Sequence, residues 1–123
     1  MDAADRELYE LAVEVAQRAY APYSKFDVGA VVRARDGRLF EGVNVENAAY
    51  PLGVCAEKSA LSAAVTAGLR PGDVEAIGVT ASPCGGCRQW LVEFGFDRVV
   101  YANNDGEVVV ATPAELLPDT FLL

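Results

Sequence analysis

Two stretches of this sequence organise the chain, Cys55-Ala56-Glu57-Lys58 and Pro83-Cys84-Gly85-Gly86-Cys87, because each opens a predicted helix. The residues that follow Cys55 are rich in alanine and leucine, and Gly68 stands where a glycine commonly ends a helix. The second run is closed in the same way by Gly95. We therefore predict helices over Cys55–Ala67 and Cys84–Phe94, with all three cysteines of the chain at or near their first turns.

The segments on either side of these helices predict an α/β fold. Apolar runs predict five strands, over Val28–Ala34, Leu39–Val45, Val74–Thr80, Arg98–Ala102 and Glu107–Ala111. Helical periodicity and a capping-box pattern predict two more helices, over Asp5–Tyr20 and from Thr112-Pro113-Ala114-Glu115 onward. This order predicts a three-layer α/β/α sandwich around a mixed five-stranded sheet. The last two strands should be antiparallel, because the turn between them is too short for a parallel crossover.

Length and composition limit the kinds of protein this chain can be. Its 123 residues suit a single domain over residues 1–123, with 52% hydrophobic and 23% charged residues. The apolar runs are short, which argues against a membrane span, and the acidic N-terminus lacks the apolar core of a signal peptide, so we expect a cytoplasmic protein. A net charge of −8 would repel nucleic acid and favours a small substrate of little charge.

The cysteines form a candidate metal site. The chain has three cysteines and no histidine, a donor set that suits a zinc ion with one coordination position left open. Cys84 and Cys87 are three residues apart and share one face of a first helical turn. Cys55 and Glu57 would point in nearly opposite directions on a regular helix, so they converge on one ion only if Cys55 is the cap residue and the ion lies beyond the helix end.

Glu57 and the nearby charges suggest hydrolytic chemistry. A carboxylate beside the open position could move protons on and off a water molecule. Three thiolates carry more negative charge than one zinc ion offsets, which would weaken the pull of the ion on that water. Two helix N-termini, together with Lys58 and Arg88, offer the compensating positive charge.

Other interpretations of the cysteines remain open. Cys84 and Cys87 could form a thioredoxin-like redox pair, which would leave Cys55 and Glu57 as a coincidence. A closed structural zinc site would need an aspartate or glutamate as its fourth ligand. Three unrelated buried cysteines are also compatible with the count. The full pattern, Cys-Ala-Glu followed by Pro-Cys-x-x-Cys about thirty residues later, favours a zinc deaminase site over each of these.

Motifs along nearly the whole chain resemble one family. They are Tyr20-Ala21-Pro22-Tyr23-Ser24-Lys25-Phe26, Val28-Gly29-Ala30, Asn44-Val45-Glu46-Asn47-Ala48-Ala49-Tyr50, Cys55-Ala56-Glu57, Ser82-Pro83-Cys84-Gly85-Gly86-Cys87-Arg88-Gln89 and Glu115-Leu116-Leu117-Pro118. With them the sequence resembles the small, homotetrameric, zinc-dependent cytidine deaminases. The resemblance implies hydrolytic deamination of cytidine and 2′-deoxycytidine to the uridines and ammonia. It also implies a homo-oligomer, expected to be a tetramer, and a role in pyrimidine salvage.

The same resemblance implies roles for individual residues. Cys55, Cys84 and Cys87 would hold one zinc ion per subunit, and Glu57 would be the acid/base. The substrate would be bound by Asn44 and Glu46 at the ribose, Phe26 against the pyrimidine, the Ala56 backbone at the polar edge of the base, and Tyr50 and Phe121 reaching a neighbouring subunit. Without the resemblance, Asn44 would be read as a turn residue, Glu46 as a solvated charge, Phe26 as ordinary core, and Tyr50 and Phe121 as interface packing.

The residue after Cys-Ala-Glu is among the positions that depart from the family pattern, and three other functions compete with this interpretation. Lys58 replaces the arginine usual after Cys-Ala-Glu, and lysine cannot reproduce the fork of hydrogen bonds that arginine donates. We therefore expect Arg88 or the backbone to take a larger share in neutralising the thiolate charge. The competing functions are deamination of another small aminopyrimidine nucleoside such as a nucleoside antibiotic, deamination of nucleic acid, and a non-enzymatic zinc or redox module. The absence of histidine and the negative charge argue against nucleic acid.

Overall fold

A computed structural model describes all residues, Met1–Leu123. It contains four α-helices and five strands. In chain order they are α1 (Ala3–Ala16), β1 (Gly29–Ala34), β2 (Leu39–Val43), α2 (Ala56–Thr66), β3 (Val74–Val79), α3 (Gly85–Phe94), β4 (Arg98–Ala102), β5 (Val108–Ala111) and α4 (Pro113–Leu116). None of these helices is both long and apolar enough to cross a lipid bilayer.

The five strands form one mixed sheet in the order β2-β1-β3-β4-β5. Only β3 and β4 pair in parallel, and α3 makes the crossover between them. The pairs β1–β2, β1–β3 and β4–β5 are antiparallel. The predicted five-stranded mixed sheet and the antiparallel last pair are therefore confirmed.

Alternating side chains of the central strands build a core on each face of the sheet. On one face, Val31 and Ala76 pack with Leu8, Ala12 and Val15 of α1. On the other face, a larger apolar cluster joins β1, β3 and β4 to α2 and α3. Both faces of β1 are thus covered, which explains why its residues are apolar almost without interruption. This arrangement confirms the predicted three-layer sandwich.

The close approach of α2 to the sheet depends on a glycine in β2. A Cβ atom on Gly42 would lie 2.2 Å from the backbone nitrogen of Ala60 in α2. The helix therefore rests directly against the strand backbone, and this contact fixes where the first turn of α2 lies.

The structure corrects two predicted boundaries next to the site. Helix α1 ends at Ala16 instead of Tyr20, and β2 ends at Val43 instead of Val45. The reason is a set of non-local backbone hydrogen bonds: Tyr20 N–H donates to Asn44 O at 3.1 Å, and Glu46 N–H donates to Tyr20 O at 2.9 Å. The loop after β2 also contains a one-turn 3₁₀ helix, Tyr50–Leu52.

Candidate metal centre and substrate cleft

The three cysteines meet where two helices begin. Cys55 is the N-cap of α2, as its spacing from Glu57 predicted, and Cys84 is the N-cap of α3. Cys87 lies one turn further along α3 and is fully buried. The three Sγ atoms all lie within 4.8 Å of one another, and none of the cysteines is in a disulfide. Zn–S bonds of about 2.3 Å could join all three sulfurs to one ion, so this donor set fits zinc.

The surroundings of Cys55 and Cys87 shift the pKa values of their thiols in opposite directions. Hydrogen bonds from Cys87 and Cys84, together with the charge of Lys58, outweigh burial and lower the pKa of Cys55 to about 6. The pKa of Cys87 is raised, because its thiol hydrogen-bonds to Cys55 and is buried. Cys55 can therefore be a thiolate at neutral pH, which is the form that binds metal.

Glu57 is a buried carboxyl beside this cluster. It lies in the first turn of α2 and is only 5% exposed. Burial raises its pKa, and the neighbouring charge of Cys55 raises it further, against hydrogen bonds from its own backbone N–H and from Cys87. A carboxyl that is easier to protonate than usual is suited to accept and return protons.

Lys58 lies against the same cluster. Its Nζ is 5.7 Å from the centre of the Trp90 ring, a cation–π distance. A Cβ on Gly86 would lie 3.7 Å from Lys58 Nζ and 4.0 Å from Cys84 Sγ, so the ammonium group and the sulfur flank the same glycine. The charge of Lys58 lowers the pKa of Cys55. Trp90 and its contact with Lys58 had no signal in the sequence.

The hydrogen bonds of Arg88 do not go to the sulfurs. Its Nε donates to Pro83 O at 2.7 Å, one terminal nitrogen donates to Leu116 O at 2.9 Å, and the other donates to Ser82 Oγ at 3.1 Å. All three of these acceptors are oxygens, and a larger share for Arg88 or the backbone in neutralising the thiolate charge stays a prediction. Arg88 ties the loop before Cys84 to the end of α4.

Asn44 and Glu46 line a cleft that also contains Cys55. The cleft has a volume of about 640 Å³, which is within the range of small-molecule sites. Asn44 Oδ1 accepts from Val28 N–H at 2.8 Å, and its Nδ2 donates to Phe26 O at 2.9 Å. The carboxylate of Glu46 accepts hydrogen bonds from the Tyr23–Ser24 segment. Both side chains are thus bound to the segment that precedes β1, and their roles towards a substrate stay predictions.

Of the other predicted substrate residues, Tyr50 lines this cleft and Ala56 lies at the start of α2, whereas Phe26 and Phe121 are not among the lining residues. Phe26 is 60% exposed, so it is not ordinary core. Tyr50 lines the cleft and is 90% exposed. Ala56 is the buried first residue of α2, where backbone N–H groups lack partners within the helix. Phe121 is exposed, and its carbonyl accepts a hydrogen bond from Gln89 Nε2 at 3.1 Å.

Comparison with known proteins agrees with this geometry. Residues 2–103 match the family described as the cytidine and deoxycytidylate deaminase zinc-binding region. The chain is 43% identical over 122 residues to the cytidine deaminase of Halalkalibacterium halodurans, covering 93% of this chain and 91% of that one. It is 43% identical over 113 residues to the cytidine deaminase of Sporosarcina psychrophila, covering 85% and 82%.

Solved structures of cytidine deaminases are also similar to this chain. The crystal structure of cytidine deaminase from Burkholderia pseudomallei superposes with a TM-score of 0.88 at 45% identity, covering 98% of this chain and all of that one. The cytidine deaminase from Mycobacterium tuberculosis superposes with a TM-score of 0.84 at 35% identity, covering 99% and 100%. This chain therefore belongs to the cytidine and deoxycytidylate deaminase zinc-binding family.

Proposed function

We propose that this protein catalyses hydrolytic deamination of cytidine and 2′-deoxycytidine to uridine and 2′-deoxyuridine, with release of ammonia. The observation that carries the proposal is the adjacency of the three-cysteine cluster, the buried carboxyl of Glu57, and a cleft lined by Asn44 and Glu46. Relatives that cover most of the chain at about 40% identity are cytidine deaminases.

Cys55, Cys84 and Cys87 would hold one zinc ion. When bound there, zinc supplies a Lewis acid that lowers the pKa of a water molecule towards neutrality. Lys58 and the N-termini of α2 and α3 would offset the negative charge of the thiolates. In this proposal Arg88 acts on the site by holding the loop before Cys84, through its hydrogen bonds to Pro83 and Ser82.

Glu57 would carry the proton transfers. Its carboxylate accepts a proton from the attacking water and passes it to ring N3, while the water oxygen forms a bond to C4. Glu57 then takes the remaining proton from the new C4 hydroxyl and gives it to the exocyclic nitrogen, so that ammonia leaves as the C4–N bond breaks and the C4=O bond forms. The raised pKa of Glu57 supports this role, because a carboxyl that must be protonated in each cycle is most effective when its pKa lies nearer the working pH.

The cleft would bind a nucleoside. Asn44 retains one donor and one acceptor beyond its hydrogen bonds to Phe26 and Val28, which suits a sugar hydroxyl. Glu46 would accept from the same hydroxyl, Phe26 would pack on the pyrimidine, and the Ala56 backbone would bind its polar edge. The cleft lining contains the carboxylate of Glu46 and no lysine or arginine, which favours a nucleoside over a nucleotide phosphate.

We further propose a homotetramer in which Tyr50 and Phe121 reach a neighbouring subunit's cleft. Large apolar side chains are exposed near the cleft and in the C-terminal segment, which favours burial between subunits: Tyr23, Phe26, Tyr50, Leu52, Phe121 and Leu122. The three free cysteines suit a reducing compartment, so we propose that the enzyme works in the cytoplasm, in pyrimidine salvage, and without nucleic-acid or membrane partners. Sedimentation showing only monomers at micromolar concentration would contradict the tetramer.

A substrate panel tests the proposed function. Ammonia release should be measured with cytidine, 2′-deoxycytidine, cytosine, cytidine 5′-monophosphate and a cytosine-bearing nucleoside antibiotic. We expect turnover of the first two and poor turnover of the base and the nucleotide. Faster turnover of the antibiotic than of cytidine would favour the alternative function, and no release from any nucleoside would refute the proposal.

A further inference from the structure

The hydroxyl of Ser24 lies between two residues that the proposed function assigns to the substrate. It donates a hydrogen bond to Oε2 of Glu46 and accepts one from the backbone N–H of Phe26 at 3.0 Å. Ser24 thus connects the carboxylate assigned to the sugar with the residue whose ring is assigned to the base. Neither its spacing nor its residue type marked this role in the sequence.

The acceptor sites of Glu46 are nearly all taken by the segment that contains Ser24. Oε1 accepts from the backbone N–H of Tyr23 at 2.9 Å and of Ser24 at 3.0 Å, and Oε2 accepts from the Ser24 hydroxyl. A carboxylate offers about four acceptor sites. The remaining site is on Oε2, next to the Ser24 hydroxyl, so the hydroxyl restricts the direction from which a ligand can donate to Glu46.

The direction of the Ser24 hydrogen bond follows from the charge on Glu46. Hydrogen bonds from the Ser24 side chain and backbone, followed by that from Tyr23, lower the pKa of Glu46 against its burial. At neutral pH Glu46 is therefore ionised and can accept hydrogen bonds but not donate them. The Ser24 hydroxyl must then be the donor in the hydrogen bond between the two side chains. The lone pairs of the Ser24 oxygen then remain for the Phe26 N–H.

The backbone around Phe26 is held on both sides. Ser24 binds its N–H and Asn44 Nδ2 binds its carbonyl at 2.9 Å. The intervening Lys25 has a φ of 61°, a left-handed conformation that is unfavourable for a residue with a side chain. Its N–H donates to Ala21 O at 3.0 Å. Several hydrogen bonds therefore maintain a strained turn that sets the position of the Phe26 ring.

We propose that Ser24 is a positioning residue that orients Glu46 towards a single sugar hydroxyl and at the same time fixes the turn that carries Phe26. This inference rests on the proposed function, because it assumes a nucleoside in the cleft. It predicts that removing the Ser24 hydroxyl weakens the recognition of the sugar hydroxyls more than it weakens binding of the base.

Calorimetric binding tests this without any need for turnover. The zinc-loaded protein and its Ser24→Ala and Ser24→Thr variants should be titrated with uridine and with 2′,3′-dideoxyuridine, which lacks both sugar hydroxyls. The dissociation constant of 2′,3′-dideoxyuridine divided by that of uridine measures recognition of the hydroxyls. We expect Ser24→Ala to lower this ratio about tenfold, the factor that corresponds to about 1.4 kcal/mol. Ser24→Thr keeps the hydroxyl and should retain the wild-type ratio.

Each outcome separates this inference from the proposed function. An unchanged ratio in Ser24→Ala overturns the positioning role, even if that variant melts earlier than the wild type. Should Ser24→Ala fail to fold, Ser24→Gly removes the same hydroxyl and must show the same loss. Equal binding of the two ligands by the wild type also overturns the inference. Tight uridine binding without cytidine deamination would instead refute the proposed catalysis and leave the ratio test intact.

Discussion

Cys55 and Cys84 occupy the same structural position in two different helices: each is the N-cap residue, with an extended backbone conformation and no side-chain capping hydrogen bond. Their sulfurs are therefore free to converge on a point beyond both helix ends, within 4.8 Å of each other. Serine, aspartate or asparagine at an N-cap would normally bind the helix backbone. The use of cysteine at both caps gives up that bond and places two thiolates where the helix dipoles stabilise negative charge.

Replacing the buried carboxyl should separate metal binding from catalysis. Glu57→Gln keeps the size of the side chain but cannot accept and return protons. We expect the variant to keep its fold and its zinc and to lose cytidine deamination by a factor on the order of 10³ or more. Circular dichroism and metal analysis on the assayed sample provide the control. Deamination at the wild-type rate would show that Glu57 is not the proton shuttle.

Arg88 should act through geometry, because its hydrogen bonds hold Pro83, Ser82 and Leu116 and not the sulfurs. Arg88→Lys keeps the charge but cannot make three divergent hydrogen bonds. We expect both Arg88→Lys and Arg88→Ala to weaken zinc binding by about tenfold, measured by competition with a chromophoric chelator. If the lysine variant bound zinc like the wild type and the alanine variant did not, charge would be the contribution that matters.

The contact between Gly42 and α2 predicts a sharp steric effect. The Cβ added by Gly42→Ala would lie 2.2 Å from Ala60 N and 2.6 Å from Ala56 O, so the helix must move. We expect a loss of about 2 kcal/mol or more in the free energy of unfolding, measured by urea denaturation. Gly85→Ala is the matched control, since nothing lies within 4 Å of its Cβ position. Equal stability of the two variants would contradict the close packing of α2 on β2.

A buried ion-pair cluster should make the free energy of unfolding depend on pH in the acidic range. Asp5 is 2% exposed, and Arg33 and Arg98 each approach it at 2.9 Å. Burial alone would raise the pKa of Asp5, but its hydrogen bonds to Arg98 and Arg33 outweigh burial and lower the pKa below its usual value of 3.8. The stabilisation is therefore present above this value and disappears as the pH falls through the lower folded-state pKa.

The matching variant is Asp5→Asn, which removes the charge and leaves two arginines without this partner. We expect it to lower the free energy of unfolding by about 3 kcal/mol at neutral pH. The difference from the wild type should shrink as the pH is lowered below the usual aspartate pKa. A difference that stayed constant from neutral pH to about pH 3 would show that the carboxylate charge is not its source.

Local patterns in the sequence were enough to predict much of the fold and the metal cluster. The caps at Cys55 and Cys84 and the capping box of α4, in which Thr112 and Glu115 bind each other's backbone, depend on residues a few positions apart. The N-cap position of Cys55 was predicted from its spacing from Glu57, on the assumption that both residues act on one ion. These features could be predicted because the residues that interact to produce them are close together in the sequence.

The features that could not be predicted depend on residues far apart in the chain. The early end of α1 follows from the pairing of Tyr20 with Asn44 and Glu46. The direction of Arg88 is set by a carbonyl 28 residues away in α4. The hydrogen bonds between Ser24 and Glu46 span 22 residues. Each of these is decided by tertiary contacts, for which periodicity and residue spacing provide no signal.

The most direct test of the account is metal content and ammonia release from cytidine, measured on the same purified, reduced protein before and after chelation. We expect about one zinc ion per chain, loss of activity when the zinc is removed, and recovery when zinc is added back. Replacement of Cys55, Cys84 or Cys87 by serine should lower both quantities together. Undiminished cytidine deamination by the metal-free protein would contradict it.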